Sequence, residues 1–492
     1  MQQRGFPRPT DAWVGDVIPW QEGGVFHLFY LHETRAQPKE GMPWHRLTTT
    51  DLVDFSDLGV ALESGGASAA DFNAYTGSVV LDDAGVHHLF YTGQNPERVG
   101  DDGLPLQLVM HATSDDGMAS WTKHPEHTFG ATAGYETADW RDPFVFRDEE
   151  AGLWRMLITA RHVDGAPRRR GVIAQCTSRD LESWVADEPF WDPRRCIAHE
   201  CPEVFRWGGW WYLVSSEFSD AFTTRYRMSR DLHGPWIVPE HDTIDGRAFY
   251  AAKSAERDGR RFFFGWIATR EGSRDDGPWQ WAGTLSVLEA EQRADGTLAF
   301  HPAEELRDTF DRAEAPIVDA PTSLDAPDGY AHVLSADDAP ASFRLVTTIE
   351  IPEATTECGV LLRAGADGDE SYVLRLEPRR HRLVMDRWPR RITGTEQWQI
   401  SGDVPFAVEL ERPCRLEPGV HTLEVIVDGD LLVATVDDAV VLSTRIHDRP
   451  AGRVGVFVGE GRVTFLTATL SSRESHAAHA ATPDRELLAT AR

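Results

Sequence analysis

Through the first three fifths of the chain, short aromatic and aliphatic runs stand between polar turns, at residues 26–30, 88–91, 154–158, 210–214 and 261–265. Each run is too short for a helix and too rich in aromatic and branched residues for a loop, so each reads as a buried strand. The runs return about every 50 to 65 residues, the length that a four-stranded propeller blade with generous loops requires. A second signature of small hydroxyl residues, an acid and then an aromatic follows most of them: Thr49, Asp51, Leu52 and Phe55; Thr113, Ser114, Asp115 and Trp121; Ser178, Asp180, Leu181 and Trp184; Ser229, Asp231, Leu232 and Trp236. These are expected to be structural turns, with the acid or hydroxyl bonding local backbone and the apolar residues packing between blades. The repeat predicts a five-bladed β-propeller over residues 1–312, with one short helical stretch near 303–312.

From there the pattern changes. A passage rich in Pro, Ala and Asp at 313–340 reads as a linker and the start of a second module. Alternating strands are then expected at 343–351, 358–363, 371–377, 381–386, 406–411, 421–427, 431–436, 440–446, 452–458 and 463–470. The turn signals Asp428-Gly429 and Glu460-Gly461 fit antiparallel hairpins. The prediction is an all-β chain: the propeller, then a C-terminal β-sandwich over 341–472, then an Ala-rich and charged tail at 473–492.

Length fits that division, since 492 residues exceed what a single core usually organises. Lys and Arg number 49 against 79 Asp and Glu, a net charge of -30, so nucleic acid and anionic membrane are poor partners. Seventeen Trp suit stacking on sugar rings and suit a β core equally. The five Cys are too few and scattered for a disulfide framework or a zinc spacing, and are read as reduced. No run is long enough to span a bilayer and the first residues lack the apolar core of a secretory signal. A cytoplasmic location is therefore expected, or a secreted one if a leader was removed.

Chemistry enters with Trp140-Arg141-Asp142-Pro143. Proline excludes the helical region for the residue before it, so Asp142 is expected in extended backbone at a strand entrance, and Arg141 beside it favours the carboxylate's charged form. Two other acids, Asp16 and Glu200, also lie just upstream of a recurring run. In a propeller, acids on the innermost strand of separate blades converge at the mouth of the channel. Glu200, between His199 and Cys201 in a partly apolar strand, is the one expected to have a raised pKa. Glu203 is expected on the opposite face of that strand, by its odd offset, and Glu217 in a solvated turn.

Arg141-Asp142-Pro143, Glu200-Cys201-Pro202 about 60 residues later and Tyr75-Thr76-Gly77-Ser78 together resemble glycoside hydrolase family 32, the β-fructofuranosidases, inulinases and levanases. The resemblance implies a carbohydrate substrate and a retaining hydrolysis of β-fructofuranosyl linkages, with no metal and no organic cofactor. It makes Asp16 the nucleophile, Asp142 the carboxylate that holds the sugar hydroxyls and Glu200 the acid/base, with nucleophile and acid about 5 to 5.5 Å apart. Trp13, Trp44, His45, Ser78, Arg141, Arg247 and Tyr250 follow as substrate contacts, although for Trp13, Trp44, His45, Arg247 and Tyr250 core packing explains the residue as well. Where the family has Asn before the nucleophile and Pro-Asn after it, this chain has Gly15 and Val17-Ile18. That departure points away from sucrose, toward another fructan, a difructose anhydride or fructosyl transfer. Open alternatives are a fructosyltransferase forming difructose anhydride, an inverting arabinofuranosidase-type propeller and a sugar-binding propeller without catalysis.

Overall fold

The computed structural model describes residues 2–314, 316–318, 321–389 and 408–473. Among them the only α-helix is the single turn Glu304–Arg307, and nearly everything else is antiparallel strand. Packing divides the chain into two units. The first runs to Ala268 and again from Trp281 to Glu305; the second takes Thr269 to Gln280 and the chain from Leu306 on.

In the first unit, five strands lie innermost: Trp13–Glu22, Asn73–Leu81, Tyr135–Asp148, Glu200–Trp207 and Phe249–Arg257. Each pairs with the strand after it, and those partners, Val25–Glu33, His87–Val99, Leu153–His162, Trp210–Glu217 and Arg260–Arg270, are the five recurring runs of the sequence. The inner strands pack side by side in chain order, and the fifth returns to pack on the first, which closes the ring. A bridge between Val14 and Gly283 joins the backbones of the first and fifth blades. The unit is a five-bladed propeller.

Apolar residues from facing sheets hold the blades together. Phe26 and Tyr30 meet Phe262 and Phe264; Phe29 and Trp44 meet Leu89 and Tyr91; Phe90 and Val109 meet Trp140 and Met156; Leu157 and Ile173 meet Val204 and Leu213. The hydroxyl-acid turns serve this packing, as the sequence suggested. Thr49 Oγ1 accepts the Leu52 N–H at 2.9 Å and Ser178 Oγ the Leu181 N–H at 2.9 Å, turning Leu52 and Leu181 inward with positive φ. In the second blade the capping acid is Asp116, which accepts the Ala119 and Ser120 N–H groups, and not the Asp115 of the sequence reading.

The second unit is sandwich-like. Its longest strand, Arg453–Ser472, pairs through its first half with Glu357–Ala364 and through its second half with Ser342–Ile351, so it joins the two halves of one sheet, 11-stranded among the described residues. Thr322–Asp338 pairs along its other edge, so the passage expected to be a linker holds a 17-residue strand. Asp428-Gly429 makes the expected hairpin. Glu460-Gly461 does not: one strand continues through it, with Glu460 at positive φ, and Gly461 meets Thr355, where a Cβ would lie 2.7 Å from the Thr355 Cα. The glycine answers a close approach, not a turn. Of the strand expected at 406–411, residues 406 and 407 lie outside the described residues and a strand runs from Leu410 to Pro413; nearly all of the 473–492 tail also lies outside them.

One glycine tests the architecture. A Cβ on Gly77, in the second inner strand, would stand 1.8 Å from the Phe90 carbonyl oxygen. Replacing Gly77 with Ala is expected to destabilise the protein by about 3 kcal/mol, read as a lower denaturant midpoint with an unchanged slope.

Candidate active site

Pairing between each inner strand and its partner slips at the same place in all five blades. The slips fall between Val14 and Val17, Tyr75 and Gly77, Arg141 and Phe144, Glu200 and Glu203, and Tyr250 and Lys253. A bulge of this kind inserts a residue and re-aims its side chain. Asp16, Asp142 and Glu200 sit in or at the rim of three of them, which is how acids far apart in sequence reach one place. Asp142 (φ 57°), Cys201 (φ 49°) and Ala251 (φ 54°) take left-handed backbone there. For Asp142 this replaces the extended conformation expected before Pro143. The Asp142 N–H bonds Thr92 Oγ1 at 2.8 Å, and Asp tolerates positive φ better than most residues.

The three acids have different surroundings. Asp142 is buried, and its Oδ2 accepts the Thr159 hydroxyl and the Cys201 N–H, both at 3.0 Å, with Arg141 Nε 3.8 Å away. Glu200 accepts Tyr250 Oη at 2.6 Å on one oxygen and Arg141 Nη2 at 3.0 Å on the other, and 21% of its side chain stays accessible. Asp16 takes the Trp266 indole N–H at 3.2 Å, and the Cys201 thiol lies 3.8 Å from its other oxygen.

These surroundings set the charges. Burial, followed by the negative charge of Asp142, pushes Asp16 up to about 7, against the Trp266 hydrogen bond; Glu200 adds to the rise and Lys253 opposes it. Burial also raises Glu200, held back by Arg141. Burial works against the charge on Arg141, but Glu200, Asp139 and Asp142 together lift it above its ordinary value. Tyr250 is raised well above the ordinary phenol by burial and by Glu200 beside it. The site thus holds two carboxyl groups with raised pKa values beside a guanidinium that is always charged.

Of the expected substrate contacts, Arg141 and Tyr250 touch the acids directly. Trp44 is a correction: it is fully buried, and its indole N–H donates to the Ala74 and Tyr75 carbonyls, so it ties the first blade to the second and has no free face for a sugar. Ser78 is likewise internal, its hydroxyl donating to Pro143 O and accepting the Val145 N–H, both at 2.9 Å, which fastens the second blade to the strand of Asp142. Trp13 lies between the Arg8 and Arg35 guanidinium groups, His45 stacks on His32 at 3.7 Å, and Arg247 is exposed. Glu203 is buried and bonded by the Ser254 N–H and hydroxyl. Glu217, expected in solvent, is buried and accepts the Asp220 and Ala221 N–H groups, closing its own turn.

Sequence reasoning missed Thr92, Thr159 and Trp266. Each immediately follows one of the recurring runs, the position that lies opposite the bulge of its inner strand, and that shared offset was the available signal. It also missed Trp281. A Cβ on Gly15 would fall 2.6 Å from the Trp281 ring, so the glycine before Asp16 is what lets this half-exposed indole lie against the strand. Trp281 in turn meets the Trp266 ring edge-on at 6.1 Å. Elsewhere, Cys196, Glu217 and Asp220 have metal-ligand spacing, but Arg195, Arg225 and Arg227 line the cavity shared by Cys196 and Glu217 and oppose a cation.

A family model described as the glycosyl hydrolases family 32 N-terminal domain matches residues 8–302. Sucrose-6-phosphate hydrolase of Escherichia coli is 28% identical over 327 residues, 61% of this chain and 64% of that protein. Raffinose invertase of Escherichia coli is 28% identical over 324 residues with the same coverage, so the match spans just under two thirds of the length of these relatives. Among solved structures, fructan 1-exohydrolase IIa from Cichorium intybus superposes with a TM-score of 0.75 at 17% identity, over 96% of this chain and 97% of that one. Exo-inulinase from Aspergillus awamori gives 0.73 at 18% identity, over 96% and 98%. At such identities the likeness is one of fold, and it agrees with a propeller followed by a sandwich.

The charge on Asp16 has a stability consequence. A carboxyl whose folded pKa is raised from 3.8 to about 7 contributes stability that is fully present below the ordinary carboxylate range and lost progressively as pH rises to about 7. Asp16→Asn is therefore expected to melt at the same temperature as wild type at pH 3.5 and several degrees higher at pH 8, the gap levelling off above about pH 7. Calorimetric scans across that range check it.

Proposed function

The chain belongs to glycosyl hydrolases family 32, and from that membership together with the three-acid pocket we propose that it is a retaining β-fructofuranosidase. The observation that carries the reading is the unequal treatment of the acids. Glu200, solvent-accessible and bonded to both Tyr250 and Arg141, is the proton donor to the glycosidic oxygen. Asp16, bonded by Trp266 and facing the same space, attacks the anomeric carbon and forms a fructosyl-enzyme ester. Water then enters, Glu200 takes its proton, and the ester is cleaved with a second inversion, so the configuration is retained overall.

Asp142 has a different part. Its inner oxygen is engaged by Thr159 and the Cys201 N–H, which fixes the carboxylate to grip fructosyl hydroxyls and to oppose the positive charge that develops on the ring. Arg141 links the two jobs by contacting both Asp142 and Glu200. As the donor gives up its proton, the guanidinium stabilises the new carboxylate on Glu200. The relatives named for sucrose-6-phosphate, raffinose and fructan support a fructoside substrate, and the indole of Trp281 beside Asp16 supports an apolar sugar face next to the cleaved bond.

The test is incubation with sucrose, inulin, levan and difructose anhydrides, following released sugar by proton NMR in the first minutes. Initial β-fructose is expected; an α anomer, a cyclic product alone or no turnover on any of them would sink the proposal. Asp16→Ala and Glu200→Ala are expected to lower kcat by a factor of at least about 10² to 10⁴. Because Asp16 must be charged to attack and Glu200 must hold its proton to donate it, kcat/KM should be bell-shaped, rising on the acid side as Asp16 ionises and falling on the alkaline side as Glu200 loses its proton. A maximum below pH 4 would contradict the charge assignment.

A further inference from the structure

Lys253 is a buried cation that the mechanism above does not use. It is only 2% exposed, on the fifth inner strand where the pairing slips. Its ammonium group reaches the second inner strand, donating to the Gly77 carbonyl at 2.6 Å and to Thr76 Oγ1 at 3.4 Å. Both acceptors are neutral, and no carboxylate among the described residues forms an ion pair with it. A buried ammonium without a counter-charge is costly, so the compensation has to come from charge at longer range.

Elimination identifies the group. Arg141 is committed to Asp139, Asp142 and Glu200. Glu203 also feels Lys253, but it has the Ser254 N–H and hydroxyl on its oxygens and Arg261 as its larger opposing charge. Asp16 has only neutral donors in contact, Trp266 and Cys201. The groups whose charge or hydrogen bond acts on Asp16, or that feel its charge, are Tyr75 from the second blade, Asp142 from the third, Glu200 and Cys201 from the fourth, and Tyr250, Lys253 and Trp266 from the fifth. Lys253 is the one cation in that set.

We propose that Lys253 is a positioning residue of the reaction, an ammonium pinned by Thr76 and Gly77 whose positive field keeps Asp16 charged and able to attack. The pin also reaches Asp142. Thr92 donates to the Thr76 carbonyl at 3.2 Å and accepts the Asp142 N–H at 2.8 Å, so the lysine's anchor and the backbone of Asp142 share one hydroxyl. This inference rests on the reading of Asp16 as nucleophile, and its test separates the two.

The full-length wild type, K253M, K253R and K253Q are compared for kcat/KM on sucrose or the best fructoside from the screen, across pH 4 to 9. In K253M the acid limb is expected to move up by about one pH unit, a tenfold loss on the acid side that largely recovers at alkaline pH. K253R should restore the wild-type limb. A uniform loss at every pH, with the limb unmoved, would mean a packing role and overturn the proposal. K253Q keeps a donor for Gly77 and serves in place of K253M if the methionine variant does not fold. Independently of turnover, melting temperatures at pH 8 for wild type, D16N, the lysine variant and the double variant form a cycle. D16N should gain more in the variant background than in wild type, and additive shifts would overturn the coupling. If wild type cleaves no fructoside, the proposed function fails while this cycle still decides the fate of Lys253.

Discussion

Like charges gathered in a largely buried site repel, and most of what surrounds Asp16, Asp142 and Glu200 answers that repulsion. Left alone, three buried carboxylates would take up protons until little charge remained. Here each has its own answer: backbone and threonine donors for Asp142, a guanidinium and a phenol for Glu200, an indole and a thiol for Asp16. The distribution leaves both Asp16 and Glu200 with raised pKa values, Asp16 at about 7. A surface excess of acid, evident in the net charge of -30, is a separate matter, because solvent screens it.

The means of gathering them is backbone geometry. An unbroken strand alternates its side chains and sends only every second one to a given face. The slip repeated in all five inner strands breaks that alternation at one height in the ring, and three of the five slips carry an acid. Left-handed backbone at Asp142 and Cys201 is strain concentrated where the chemistry lies. Ser78, clamped on Pro143 and Val145, and Trp44, bonded to two carbonyls of the next blade, belong to the scaffold that holds this strain in place.

Much of this was legible in the sequence. The recurring runs gave the blades because a buried strand must be apolar wherever it recurs, and the three acids stood out because each precedes such a run. Trp44 misled because a large aromatic near a pocket and one in a core have the same composition, and only the partners of its N–H tell them apart. Glu460-Gly461 misled because glycine serves a tight approach as readily as a turn. Asp142 departed from the extended backbone that Pro143 favours because contacts with Thr92, Thr159 and Cys201, all remote in sequence, outweigh the local preference. Trp266 and Lys253 drew no notice for the same reason: what they do depends on which blade they face.

The strand Arg453–Ser472 joins the two halves of the second unit's sheet and comes last among the described strands. The propeller's closing partners all precede residue 303, so on the ribosome it can complete its ring while the remainder is still being made. The sandwich has no such freedom. Each half of its sheet waits, one edge open, for the same late segment, and during translation that waiting interval is when the nascent chain most needs shielding from its neighbours.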